Sequence, residues 1–278
     1  MDAEELLRAG RLTEALEQLQ NAVRAKPSDA KLRVFLFQLL SVMGQWERAM
    51  TQLNVAADLD AANLLMANVC RPALNAEALR AEIFAGKRSP VVFGEPPEWI
   101  GWMLEASRLV AEGRYDACLE LRDRAFEACP ATSGAVNDEP FEWIADHDQR
   151  LGPILEAIVE GKYYWVPFQN LREVLLEAPA DLRDRVWMPA TFTWANGGQS
   201  VGLIPSRYPG SEASDDSAIQ LGRRTDWTEH EGDLLLGLGQ RMLATDQKEY
   251  GLLEVHSIAL ETPEATGAEA PAGDAPDG

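Results

Sequence analysis

The residues from which chemistry could start are three histidines, three cysteines and a few arginines with aromatic neighbours. His147 stands between Asp146 and Asp148, but sequence neighbours on a helix point to different sides, so the spacing assembles no His/carboxylate site. His230 lies in the acidic run Glu229-His230-Glu231, and His256 alternates with apolar residues as in a strand. Both read as surface or satisfied side chains. Cys70, Cys118 and Cys129 form no CxxC spacing, and their odd number fits reduced, partly buried thiols better than a disulfide framework or zinc site. No metal and no cofactor is expected. Gly237-Leu238-Gly239-Gln240-Arg241 lacks the third glycine and the Lys-Ser/Thr ending of a phosphate loop, and reads as a turn. No G-x-S-x-G elbow, no H-E-x-x-H and no cysteine nucleophile with a His-Asn companion is present, which argues against an enzyme. The most unusual segment runs from Leu203 to Asp216. Its Arg207, Tyr208 and Glu212 combine a guanidinium fork, an aromatic plane and a carboxylate, the chemistry of a polar recognition surface or of a buried loop anchor.

The whole chain sets the electrostatic frame for those residues. Forty-five acidic residues against 25 basic ones give a formal charge of -20 over 278 residues. That field repels phosphate backbones and anionic head groups, so neither nucleic acid nor a membrane is expected as partner. Arg223-Arg224, followed by Trp227, is an island of positive charge within it. The N-terminus opens with acids and passes into an amphipathic pattern without the basic and apolar regions of a secretory signal. No stretch nears the ~20 apolar residues that span a bilayer. A cytoplasmic protein is the expectation.

The elements that must position these residues begin with a repeat. Gly10-Arg11-Leu12-Thr13-Glu14-Ala15-Leu16 and Gly44-Gln45-Trp46-Glu47-Arg48-Ala49-Met50 stand 34 residues apart, the tetratricopeptide period. A third copy, Gly113-Arg114-Tyr115-Asp116-Ala117-Cys118-Leu119, follows 69 residues later, leaving room for a degenerate unit between Asn63 and Ser89. Glycine ends the first helix of each pair, and small residues at Ala15, Ala49 and Cys118 allow close approach of helices. Pro27 and Pro130 stop the second helix, since proline lacks the amide donor.

Stacked hairpins of this kind present a concave face from their first helices. By register that face comprises Lys31, Val34, Gln38 and Ser41 in one unit and Ile100, Met103, Ser107 and Val110 in another, where a partner helix is expected to dock. Breaks at Pro90 to Pro97 and Ala131 to Pro140 interrupt the pattern. Beyond them the texture turns to short alternating runs. Tyr163 to Phe168 reads as a strand and Leu171 to Leu176 as a short helix. Thr191 to Trp194 and Val201 to Ile204 flank Asn196-Gly197-Gly198, a hairpin signal. Met242 to Thr245 and Leu252 to Ile258 suggest another. The expected architecture is α+β, with two cores: tetratricopeptide-like helical repeats over 1–135, a small domain of four or five strands with one helix over 136–260, and a disordered acidic tail over 261–278.

The C-terminal half carries a resemblance. Trp143-Ile-Ala-Asp-His-Asp-Gln-Arg-Leu-Gly-Pro153, Gly161-Lys-Tyr-Tyr-Trp-Val-Pro-Phe168, Ile204-Pro-Ser-Arg-Tyr-Pro-Gly-Ser-Glu212 and Gly239-Gln-Arg241, with Asp181 to Asp184, Trp187 and Pro189-Ala190, together resemble the ImpE family, also called TagJ or SciE. With the repeats, the resemblance extends over nearly all of residues 1 to 260. It implies a non-catalytic accessory protein of bacterial type VI secretion that contacts a helix of the small sheath subunit, beside the AAA+ ATPase that dismantles contracted sheath. A hydrolase or ligand-binding domain fused to an adaptor, and a chaperone for secreted effectors, are the alternatives. An enzyme should show a deep polar pocket around Arg207, Glu212 and Arg241, whereas an adaptor should show a shallow apolar groove between helices.

Overall fold

The computed structural model describes residues 1–262, so the expected acidic tail lies almost wholly outside the described residues. Seven helices fill the N-terminal half: α1 (Ala3–Arg8), α2 (Leu12–Ala25), α3 (Ala30–Val42), α4 (Trp46–Leu59), α5 (Leu64–Phe84), α6 (Glu98–Ala111) and α7 (Tyr115–Ala128). Gly10, Gly44 and Gly113 separate paired helices at φ +75°, +66° and +71°. At each, the next residue's amide reaches back to a carbonyl five residues earlier: Arg11 to Leu6, Gln45 to Leu40 and Arg114 to Leu109, all at 2.9 Å. Such a cap satisfies the orphan carbonyls of a helix end and needs the left-handed backbone that glycine adopts without strain. Ala15, Ala49 and Ala125 are fully buried where the helices touch. The stretch from Asn63 to Ser89 forms no hairpin. It folds as the 21-residue α5, with Pro72 in its interior, and ends on the same cap at Gly86.

From Gly134 onward the described chain is sheet-rich. Strands β2 (Gly134–Val136), β3 (Glu139–Phe141), β4 (Ile144–Asp146), β5 (Ile154–Val159), β6 (Lys162–Pro167), β7 (Leu171–Leu176), β8 (Trp187–Trp194) and β9 (Gln199–Pro205) come first. A four-residue α8 (Ser217–Gln220) follows, then β10 (Thr225–His230), β11 (Leu234–Gly239), β12 (Met242–Thr245), β13 (Glu249–Gly251) and β14 (Ser257–Leu260). Nine strands form one sheet in the order β1-β6-β5-β9-β8-β7-β14-β2-β3, where β1 is Val91–Val92, lent by the helical half and parallel to β6. The sheet is far larger than the four or five strands expected.

Three readings of the sequence need correction. Leu171 to Leu176 is strand β7, not a helix: Leu171, Val174 and Leu175 are spaced in sequence as on a helix, but a register shift between Leu171 and Glu173 lets Leu171 and Val174 both be buried in the sheet while Leu175 is exposed. The hairpin after Met242 closes on β13, while Leu252–Glu254 turns and β14 leaves to join the large sheet between β7 and β2. Cores divided between the halves were also expected. Instead the largest apolar cluster draws Leu36, Phe37, Leu53, Ile100 and Met103 from the helices together with Ile158, Trp165, Trp187 and Leu203 from the sheet. A second cluster, including Val166, Phe192 and Ile258, fills the other side of the sheet.

Candidate functional site

The helical layer lies directly on the nine-stranded sheet, and polar chemistry is concentrated at that junction. Arg80, on α5, donates from Nε and Nη2 to the two carboxylate oxygens of Glu156 on β5 at 2.6 and 2.9 Å, and from Nη2 to the carbonyl of Arg207 at 2.7 Å. Arg241 bridges Glu156 and Asp146 from the far side and donates to the Pro205 carbonyl at 2.8 Å. Tyr163 donates to Glu156, and the Trp165 indole donates to Tyr163 at 2.9 Å. Trp187 donates to Glu77 at 2.8 Å. Burial alone would raise the Glu156 carboxyl, but Arg80 and Arg241 outweigh it and hold it at about 2. Burial pushes Asp146 up to about 7 against the pull of Arg241.

Arg207 and Tyr208 belong to this junction. Arg207 donates to the Val42 carbonyl at 2.8 Å and to the Gln220 carbonyl, and burial lowers its guanidinium to about 10. Tyr208 donates to Asp146 at 3.0 Å and accepts from the Met242 amide at 2.9 Å. Both side chains are sealed from solvent, as is Arg241. The loop that reads in sequence as either a recognition surface or an anchor is therefore an anchor: it ties the sheet to the carbonyl end of α3. Half-buried Glu212 packs beside the Gly44 turn.

The same contact overturns the expected concave face. Gln38 and Ser41 on α3 and Ile100, Met103 and Ser107 on α6 are all buried, while Val34 and Val110 are half-buried and Lys31 is exposed. The chain's own second half covers that face. Leu182–Arg185 lies against α3, and Leu151, Ile154 and Gly152 pack towards Ile100 and Met103. An apolar first-helix face is what a docking groove and an internal interface have in common, so its composition did not separate them.

What remains open is a groove of about 910 Å³ between the outer side of α5 and the sheet. Leu65 and Val69 line it from the helix, 81% and 51% exposed. Leu175 on β7 and Val201 on β9 face them, 43% and 76% exposed. Of the charged residues in its lining, Glu160, Glu177 and Asp184 are acidic and Arg183 is basic, so its charge is negative. Four large apolar side chains left in water around one depression mark a surface built to be covered. The sequence carried part of this signal, in the room left for a degenerate helical unit between Asn63 and Ser89, but which side of α5 would stay open depends on the sheet. Among the described residues, no group of His, Cys, Asp and Glu is placed to hold a metal, and no helix is long and apolar enough to cross a membrane.

Helical hairpins of tetratricopeptide type sealed against a large mixed sheet, with an open apolar groove, define an interaction protein, and comparison with known proteins agrees. A tetratricopeptide repeat model matches residues 6–70, and the model of the ImpE protein family matches residues 138–259. The chain is 51% identical to the type VI secretion system accessory component TagJ of Pseudomonas aeruginosa, with 95% of this chain and 93% of that protein covered. The crystal structure of protein VPA1032 from Vibrio parahaemolyticus superposes with a TM-score of 0.83 at 27% identity, over 94% of this chain and 98% of that one. The chain belongs to the ImpE/TagJ family of type VI secretion accessory proteins.

Proposed function

We propose that this chain is a non-enzymatic cytoplasmic adaptor of a bacterial type VI secretion system that holds a helical segment of the small contractile-sheath subunit in the groove beside α5, and so assists sheath assembly or its recycling by the AAA+ ATPase. The observation that carries the reading is the opposition of Leu65 and Val69 to Leu175 and Val201 across an open depression. A helix is about 10–12 Å across with its side chains, and an apolar stripe at i, i+3 and i+4 meets two such walls at once. Glu160 and Glu177, within a chain of net charge -20, favour a helix whose polar flank is basic. Against an enzyme stands the junction itself, because Arg207 and Arg241 donate to protein oxygens and are closed to a substrate.

The test is calorimetry with a peptide of the sheath subunit's N-terminal helix. Leu65→Asp/Val201→Asp should weaken binding at least about a hundredfold, on the order of 3 kcal/mol, with the circular dichroism spectrum unchanged because both side chains face water. Lys31→Glu, on the face first expected to bind, should leave affinity unchanged. Undiminished binding by the groove double variant would reject the groove.

A further inference from the structure

Two unfavourable backbone choices meet in the lining of the groove. Helix α5 carries Pro72 in its interior. A proline has no amide hydrogen, so the carbonyl of Asn68, four residues back, lacks its helical donor, and the proline ring pushes that carbonyl out of line. Across from it, β5 and β6 join through the two-residue turn Glu160-Gly161, with Val159 paired to Lys162. Both turn residues have positive φ, +50° and +76°. Glycine takes that conformation freely, Asn and Asp tolerate it, and longer side chains are strained in it. Of the four non-glycine residues at positive φ among the described residues, Asn137, Asp138 and Asp233 are of the tolerant types and Glu160 is the exception. The turn and the proline touch: a Cβ at Gly161 would lie 3.2 Å from Cβ of Pro72. Asn68, Pro72, Glu160 and Gly161 all line the groove. Strain retained on both sides of one contact points to a use for what it presents.

We propose that the freed carbonyl of Asn68 and the carboxylate of Glu160 form an anchor for one basic side chain of the helix held in the groove, an inference that rests on the groove reading above. Both groups are acceptors, and Glu160 is exposed, with no ion pair or hydrogen bond among the described residues. Arginine and lysine carry donors only, so either complements the pair, whereas an apolar or acidic side chain leaves it unsatisfied. The chain's own cations are committed elsewhere. Arg71 turns to α4, donating to Asn54 at 2.7 Å and to the Asn68 side chain at 3.2 Å, and does not line the groove. Arg183 does line it, but pairs with Asp181 at 2.8 Å and with Asp184. Leu65, Asn68, Val69 and Pro72 stand at i, i+3, i+4 and i+7, one stripe of α5, so the apolar wall and the anchor face the same bound helix. Apolar walls tolerate a helix slid along them by a turn. A charge held at one point selects a single register.

The test is a double-mutant cycle by calorimetry, with the full-length protein and a peptide of the sheath subunit's N-terminal helix. Each Lys and Arg of the peptide is replaced in turn by Gln, against the native protein and against Glu160→Gln. Glu160→Gln should weaken the native peptide about tenfold, and one basic position should cost about tenfold against the native protein but under about twofold against the variant. Pro72→Ala returns a donor to the Asn68 carbonyl, so it should raise the urea midpoint and yet weaken binding severalfold, opposite movements that a merely structural proline would not give. No basic position coupled to Glu160, or undiminished binding by Pro72→Ala, overturns the anchor. The groove survives that result where Leu65→Asp/Val201→Asp has lost the peptide, and falls together with the anchor if the native protein does not bind the peptide at all.

Discussion

Asp146 and Glu156 share Arg241, yet the junction treats them in opposite ways. Glu156 has two guanidinium partners and Tyr163, so its carboxylate is favoured by folding; Asp146 has one guanidinium and a second carboxylate, Asp148, close by. A carboxyl held at about 2 adds stability above its unfolded value, near 4, that is lost as pH falls towards 2. A carboxyl raised to about 7 works the other way: its contribution is fully present below about 4 and is lost as pH rises through 7. Stability should therefore decline between about pH 4 and 7 on account of Asp146 and level off above that. In Asp146→Asn that decline should be shallower, as read from urea midpoints at four pH values across the window. A wild type and variant with parallel slopes would show that Asp146 does not titrate there.

Elements differ in how plainly the sequence announces them. The hairpins were legible because a helix cap is a local device: Gly10, Gly44 and Gly113 recur with the same residues around them, and each adopts the expected left-handed turn. The two cases separate backbone from packing. A Cβ at Gly113 meets nothing within 4 Å, whereas one at Gly44 runs into the side chain of Glu212. Gly113→Ala should therefore cost only the left-handed backbone, about 1–2 kcal/mol, and Gly44→Ala that amount plus displacement of the Glu212 loop. Equal losses in urea unfolding would mean that the loop yields freely. Strand β7 was not legible, because its apolar residues have helical spacing in sequence and the register shift that fits them to a strand is settled by β8 and β14 on either side. The polar junction was half legible. Arg207, Tyr208, Glu212 and Arg241 stood out as a set, but Arg80 and Glu156, 76 residues apart, had no shared motif, and only the docking of α5 on β5 and β6 brings them together.

At the scale of the molecule, the same docking decides how the chain unfolds. Separating the layers would strip Leu36, Phe37, Ile100 and Met103 of their sheet partners and part Arg80 from Glu156. The apolar area exposed would be the main cost, since it belongs to the largest cluster of the protein. We therefore expect residues 1–135 and 136–260 to unfold together, although their textures divide the sequence near residue 135. Trp165 and Trp187 sit at the junction, and Trp187 lies 6.1 Å from Trp46 of α4, so tryptophan fluorescence reports the interface while circular dichroism at 222 nm reports the helices. The two signals should share one urea midpoint. Helical signal surviving beyond the fluorescence transition would instead mean that the hairpins hold without the sheet. Their inner face would then be free in some molecules, and Val34 and Met103, first read as a docking surface, would regain that standing.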